Sequence, residues 1–279
     1  MRREREGRCV VSDLSSGLLV GGVPYMAMGH GPPLVSVEGL TPTHDVPTGL
    51  ARRMYLSGVA ELSDDFRVYW VNRKQGLREG ESMSQIAGHL AAAIEQEIGE
   101  PVLLTGRSSG GSLALQLAVD RPDLVRALVA VAATYRAAGR GREIAQKLAQ
   151  AIRAGDAFGG WARTMTADLP TPAQGPMTPL ARMVARAMVR EDPTDMLVSL
   201  EAELAYDVGD QLDRITAPTL VIGGAKDPYN PADELQQIAA RVKDGRAHIY
   251  PTWGHRRTCM SATTTGLTLG FFLAAARSH

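Results

Sequence analysis

The chain has 279 residues, 44% of them hydrophobic, with 30 Lys plus Arg balanced by 30 Asp plus Glu. That length suits one large α/β core with room for an insertion, and the balance leaves no global field to attract nucleic acid or an anionic membrane. The two cysteines, Cys9 and Cys259, have no metal-ligand spacing and imply no disulfide framework, and no stretch is apolar for the length of a membrane span.

Residues 1–8 are strongly charged, and Asp13, Ser15, Ser16 and a glycine pair interrupt the next segment. This reads as a basic start leading into an edge hairpin rather than a signal peptide, and cytoplasmic residence is the matching expectation. Apolar and β-branched runs predict strands at 8–11, 23–28, 34–37, 66–71, 102–105 and 125–133. Helical spacing predicts helices at 50–63 and 83–98. From 136 to 212 the strand signal stops, and helices are predicted at 143–153, 157–167, 180–190 and 193–205, with a Pro-rich linker at 169–176 between the second and third. Strands resume at 217–224 and 247–250 around a helix at 233–241. Strands alternating with helices imply a mainly parallel sheet, whose functional residues collect at the strands' carboxyl ends.

One stretch carries the chemistry. Residues 101–115 read as a strand, then Gly106-Arg107-Ser108-Ser109-Gly110, then a helix. A serine lifted on such a turn sits in strained backbone, so the residues two before and two after it must be small. The amide of Ser109 then lies at a helix N-terminus, where developing negative charge can be met. Two later strand ends supply Asp227, directly after 217–224, and His255, at the end of Pro251-Thr252-Trp253-Gly254-His255. A serine hydroxyl needs a neighbouring base, which imidazole supplies, and an aspartate can hold the imidazole's tautomer.

The order Ser108, Asp227, His255, each just past a strand, resembles the α/β-hydrolase superfamily over nearly the whole chain. The resemblance implies an α/β-hydrolase fold: a mostly parallel, doubly wound sheet with antiparallel N-terminal strands and an inserted helical cap. It implies a core of residues 1–135 and 213–279, with 136–212 as a lid over the serine. The match extends to Val71-Asn72-Arg73-Lys74-Gln75-Gly76-Leu77, where many capped members carry Asp-x-Arg-Gly-x-Gly. All this looks like the capped esterase, lipase, peptidase and lactonase branch. Epoxide hydrolases and haloalkane dehalogenases place aspartate where Ser108 stands.

The second oxyanion donor is expected after the third strand. His30-Gly31 is unsuitable because Pro32 has no N–H to donate. The position matching the family's His-Gly is Glu38-Gly39, which makes the amide of Leu40 the donor alongside that of Ser109. A carboxylate beside an oxyanion opposes catalysis, so Glu38 is expected to pair with Arg107 beneath the site; recognition of a substrate carboxylate is a second option for Arg107. Trp161, Met165, Met183, Met188 and Met196 are the candidate pocket-lining residues of the cap. The expected activity is serine hydrolysis of an ester, lactone or thioester of a small apolar molecule, without cofactor or metal. Acyl transfer, C–C bond cleavage or a biosynthetic tailoring step on the same triad, and a non-catalytic ligand cage, are the alternatives.

Overall fold

Runs of aliphatic and β-branched residues give eight strands, which the computed structural model joins into one sheet; it describes residues 13–277 apart from 168, 170 and 191. The strands are β1 (Ser15–Leu19), β2 (Val23–Met28), β3 (Pro33–Val37), β4 (Arg67–Val71), β5 (Val102–Arg107), β6 (Val125–Val131), β7 (Thr219–Gly224) and β8 (Gly245–Tyr250). They stand in the order β1-β2-β4-β3-β5-β6-β7-β8. β1 pairs antiparallel with β2 and β2 with β4, while every later pairing is parallel. The strand predicted at 8–11, like Cys9, lies outside the described residues. One partner of β2 is Ser15–Leu19, a segment whose serines and glycines hid its strand character.

Parallel neighbours need crossover helices, and these cover both faces. The helices are α1 (Gly49–Ser57), α2 (Met83–Ala93), α3 (Ser109–Asp120), α4 (Gly139–Arg153), α5 (Ala157–Thr166), α6 (Thr171–Met188), α7 (Thr194–Ala205), α8 (Ala232–Arg241), α9 (His255–Met260) and α10 (Ala262–Arg277). On one face Val35, Val37, Leu104 and Val221 join Ile86, Leu113, Leu117 and Leu235 in a single core. On the other, Leu34, Val68, Leu103 and Ile222 join Phe66 and Phe272. Every residue of β3 and β7 is buried, as strands covered on both faces require.

Four consecutive helices, α4 to α7, are inserted between β6 and β7 and share a small core containing Leu148, Ile152, Trp161, Ala185 and Leu200. The Pro-rich stretch expected to be a linker is helical: α6 starts at Thr171 and runs through Pro176 and Pro179. Burial of Ala181, Ala185 and Val189 in this packing overrides the local propensity. The insertion is tied to the sheet by α7. Asp195 accepts from the amides of Gly76 (3.1 Å) and Leu77 (2.7 Å), and Ser199 Oγ meets His44 Nε2 at 3.4 Å. Burial, then the charge of Arg73, lowers the pKa of His44 to about 4, so this tie is neutral near pH 7.

Candidate active site

The turn between β5 and α3 holds Ser108 at φ 54°, ψ −131°. That conformation is costly for a side-chain-bearing residue, and surrounding structure must enforce it. The enforcement is steric. A Cβ on Gly106 would strike the carbonyl of Gly110, one on Gly110 the carbonyls of Val37 and Glu38, and one on Gly111 the side chain of Ala133. The Ser108 amide donates to Val131 O at 2.8 Å, anchoring the turn to β6.

Asp227 leaves the end of β7 and is satisfied on both oxygens. Oδ1 accepts from the amides of Tyr229 (2.8 Å) and Asn230 (3.1 Å), and Oδ2 meets His255 Nδ1 at 2.7 Å. A carboxylate on Nδ1 assigns the ring proton there and leaves Nε2 as acceptor. His255 opens α9, and its Nε2 lies 3.0 Å from Ser108 Oγ. Asn230 Nδ2 donates to Ala132 O at 2.8 Å, and the Tyr229 ring leans on the imidazole with centroids 4.7 Å apart. Burial opposes charge on His255, but Cys259, whose Sγ is 3.8 Å from Nε2, and the hydrogen bond to Asp227 outweigh it. Its pKa lies well above the ordinary histidine value. Ser108, His255 and Asp227 thus form one hydrogen-bonded chain, the geometry that nucleophilic acyl chemistry requires.

Leu40 and Ser109 line the same cavity as Ser108, and neither amide N–H has a protein acceptor among the described residues. The expected pairing of Glu38 with Arg107 does not form. Glu38 turns back into the core, where Oε2 accepts from Trp70 Nε1 at 2.8 Å and Oε1 from the amide of Gly39 at 2.9 Å. Arg107 donates to the carbonyl of Gly58 at 3.3 Å. The cation under the Glu38-Gly39-Leu40 loop is Arg73, only 3% exposed. Its Nη1 donates to the carbonyls of Glu38 (3.2 Å) and Gly39 (3.0 Å), and its Nη2 to Ser109 Oγ (2.8 Å). Burial lowers its pKa, while the carboxylates of Glu203 and Glu38 favour its charge.

The cavity above Ser108 has a volume of about 530 Å³. Glu38, Arg107, Trp161 and Met165 lie on its wall. Three expected pocket residues do not. Met196 is fully buried inside the insertion, Met183 is 64% exposed on its outer side, and Met188 is half-buried away from the cavity. A methionine's place on a helix depends on which face turns inward, and spacing alone does not distinguish packing inside the insertion from facing the serine. Sequence reasoning missed Asn230, Tyr229 and Glu203. Asn230 and Tyr229 had a usable signal, lying within three residues of Asp227; Glu203 had none, since a glutamate on an amphipathic helix reads as solvated.

The fold and this site define a hydrolase of the α/β-hydrolase superfamily. The chain belongs to the family described as serine aminopeptidase, S33, whose model matches residues 78–258. It is 27% identical over 203 residues to RutD of Klebsiella pneumoniae, whose name carries a provisional carbamate hydrolase assignment; the match covers 71% of this chain and 76% of that protein. Among solved structures it is similar to a hydrolase from Pseudomonas aeruginosa (TM-score 0.72, 20% identity, 94% of this chain and 99% of that one). It is also similar to the enol-lactonase of Burkholderia xenovorans (TM-score 0.72, 16% identity, 94% and 100%). Among the described residues, no helix is long and apolar enough to cross a membrane.

Proposed function

We propose that this hydrolase cleaves an ester, lactone or thioester of a small, largely apolar molecule through an acyl-Ser108 intermediate. The observation that carries the reading is the unbroken chain Asp227–His255–Ser108, at 2.7 and 3.0 Å, opening onto the cavity. His255 Nε2 takes the hydroxyl proton as Ser108 Oγ attacks the carbonyl carbon. The tetrahedral oxyanion is held by the amides of Leu40 and Ser109, with the Arg73 guanidinium fixing the loop that carries the first and the side chain of the second. The imidazolium gives its proton to the departing alcohol or thiol. Water, deprotonated by the same nitrogen, then attacks the acyl carbon, and the acid leaves as Ser108 recovers its proton. Helices α4 to α7 act as a cap that excludes bulk water and shapes the acyl pocket.

A fluorophosphonate probe is expected to label the wild type and to spare Ser108→Ala. Absence of labelling in the wild type overturns the reading in favour of a ligand cage. Product analysis with an ester panel separates hydrolysis from acyl transfer, where an added alcohol would appear in the product in place of water.

A further inference from the structure

Buried polar side-chain atoms nearly always have partners, and a clustered exception calls for an explanation. Two such atoms belong to residues on the wall of the cavity above Ser108, both in the inserted segment or at its exit. Trp161 Nε1 on α5 is buried with no hydrogen-bond partner among the described residues, as is the hydroxyl of Tyr206, the residue that caps α7. On the same wall stands Glu203 of α7, only partly buried, whose carboxyl makes no hydrogen bond or ion pair with the described residues. Burial raises its pKa to about 7, against the more distant attraction of Arg73 and His255. The same wall also carries the apolar Leu148, Met165 and Leu200. An apolar wall with a few unsatisfied polar points is how a pocket fixes a ligand's orientation.

The donor and acceptor types restrict what can satisfy the set. Trp161 can only donate, so it needs an oxygen or another acceptor. Glu203 needs a donor when ionised, and Tyr206 can serve either way. An ammonium group would answer Glu203 and leave the indole N–H unmatched. A carboxylate would answer the indole and confront Glu203. We infer that Trp161, Glu203 and Tyr206 form a specificity subsite for a neutral amide-type group on the substrate, a carboxamide, carbamoyl or ureido end that offers a carbonyl oxygen and an N–H together. The subsite deepens the acyl-serine reading and rests on it only for the kinetic arm of its test.

The probes are three esters of equal length and near-equal volume: the monoethyl ester of glutaramic acid, its methyl-ketone analogue and its isopropyl analogue. Their ends carry donor and acceptor, acceptor alone, and neither. Binding is measured by calorimetry on Ser108→Ala, in which no turnover is expected. The amide is expected to bind ~10-fold or more tightly than the ketone, because a missing hydrogen bond leaves a buried group unpaired. Adding Glu203→Leu is expected to bring the amide and ketone within ~2-fold of each other. Adding Trp161→Phe instead weakens amide and ketone alike relative to the isopropyl compound, an independent check should the Glu203 variant melt early. Equal binding of amide and isopropyl ester, or a preference that survives Glu203→Leu, overturns the subsite. Turnover of the three esters by the wild type separates the two readings. Cleavage without preference sinks the subsite and leaves the acyl-serine reading standing; an amide preference in binding with no ester cleaved does the reverse.

Discussion

The two walls of the cavity are finished to different degrees. On the sheet side the polar side chains around Ser108 are engaged: Asp227 on both oxygens, His255 on both nitrogens, Asn230 with Ala132, Glu38 with Trp70, Arg73 with three acceptors. On the insertion side Trp161 Nε1 and the Tyr206 hydroxyl have no partner. The engaged wall holds its geometry without a ligand, as a preorganised reaction site must. On the reading proposed above, a ligand completes the unengaged wall, and reaction type falls to the strand ends and specificity to the inserted helices, a division that can be attacked from the sheet side outward.

The largest effect is expected at the nucleophile. Ser108→Ala should lower kcat/KM on a responsive ester on the order of 10⁴-fold or more, with the thermal midpoint held. A variant that keeps wild-type turnover would show that the engaged wall does no chemistry. Next comes Asp227→Asn, expected to cost on the order of 10³-fold in kcat, because an amide facing Nδ1 no longer secures the tautomer that leaves Nε2 free. KM should move little, since Asp227 is turned away from the cavity toward Tyr229, Asn230 and His255.

Arg73 tests the comparison from below. Its guanidinium spans the carbonyls of Glu38 and Gly39, in the loop proposed to hold the oxyanion, and the Ser109 hydroxyl, a fork that lysine cannot reproduce. Arg73→Lys is expected to lower kcat about 10–100-fold by letting the Leu40 amide drift, with KM for the same ester nearly constant. A fall in KM alone, or an equal loss of stability and activity, would make Arg73 a packing residue instead of a positioning one.

How much of this was legible in the sequence obeys the same division. Strand ends were readable because Gly106, Ser108 and Gly110 answer to sterics two residues away, and Asp227 and His255 come after apolar runs that announce themselves. The partner of Glu38 was misread because Arg107 is adjacent to the nucleophile, whereas the register of β4 beside β3, with Trp70 opposite Ser36, is what brings the Trp70 indole to the Glu38 carboxylate. The insertion was legible as helices and little more. Its long Pro-bearing helix α6 depends on burial against its neighbours, and neither that burial nor the inward turn of Glu203 leaves a mark in residue spacing.

The smallest expected effect is a displacement in pH. Cys259 stands one turn beyond His255 on α9, with Sγ 3.8 Å from Nε2, and it helps to raise the imidazole pKa. Only unprotonated His255 can accept the Ser108 proton, so kcat/KM should climb with pH along a limb lying above that of an ordinary histidine. The same shift enters stability with the opposite sense. A folded-state pKa raised above the unfolded value stabilises the fold fully below the unfolded pKa, and that contribution disappears as pH rises through the folded one. Replacing the thiol in Cys259→Ala removes one of the influences that favour the imidazolium. The limb should move toward lower pH, raising the fraction of enzyme active near neutrality, while the pH-independent maximum stays where it was. Measured pH profiles of kcat/KM for the two proteins decide it, and an unmoved limb would leave the perturbation of His255 to Asp227 alone.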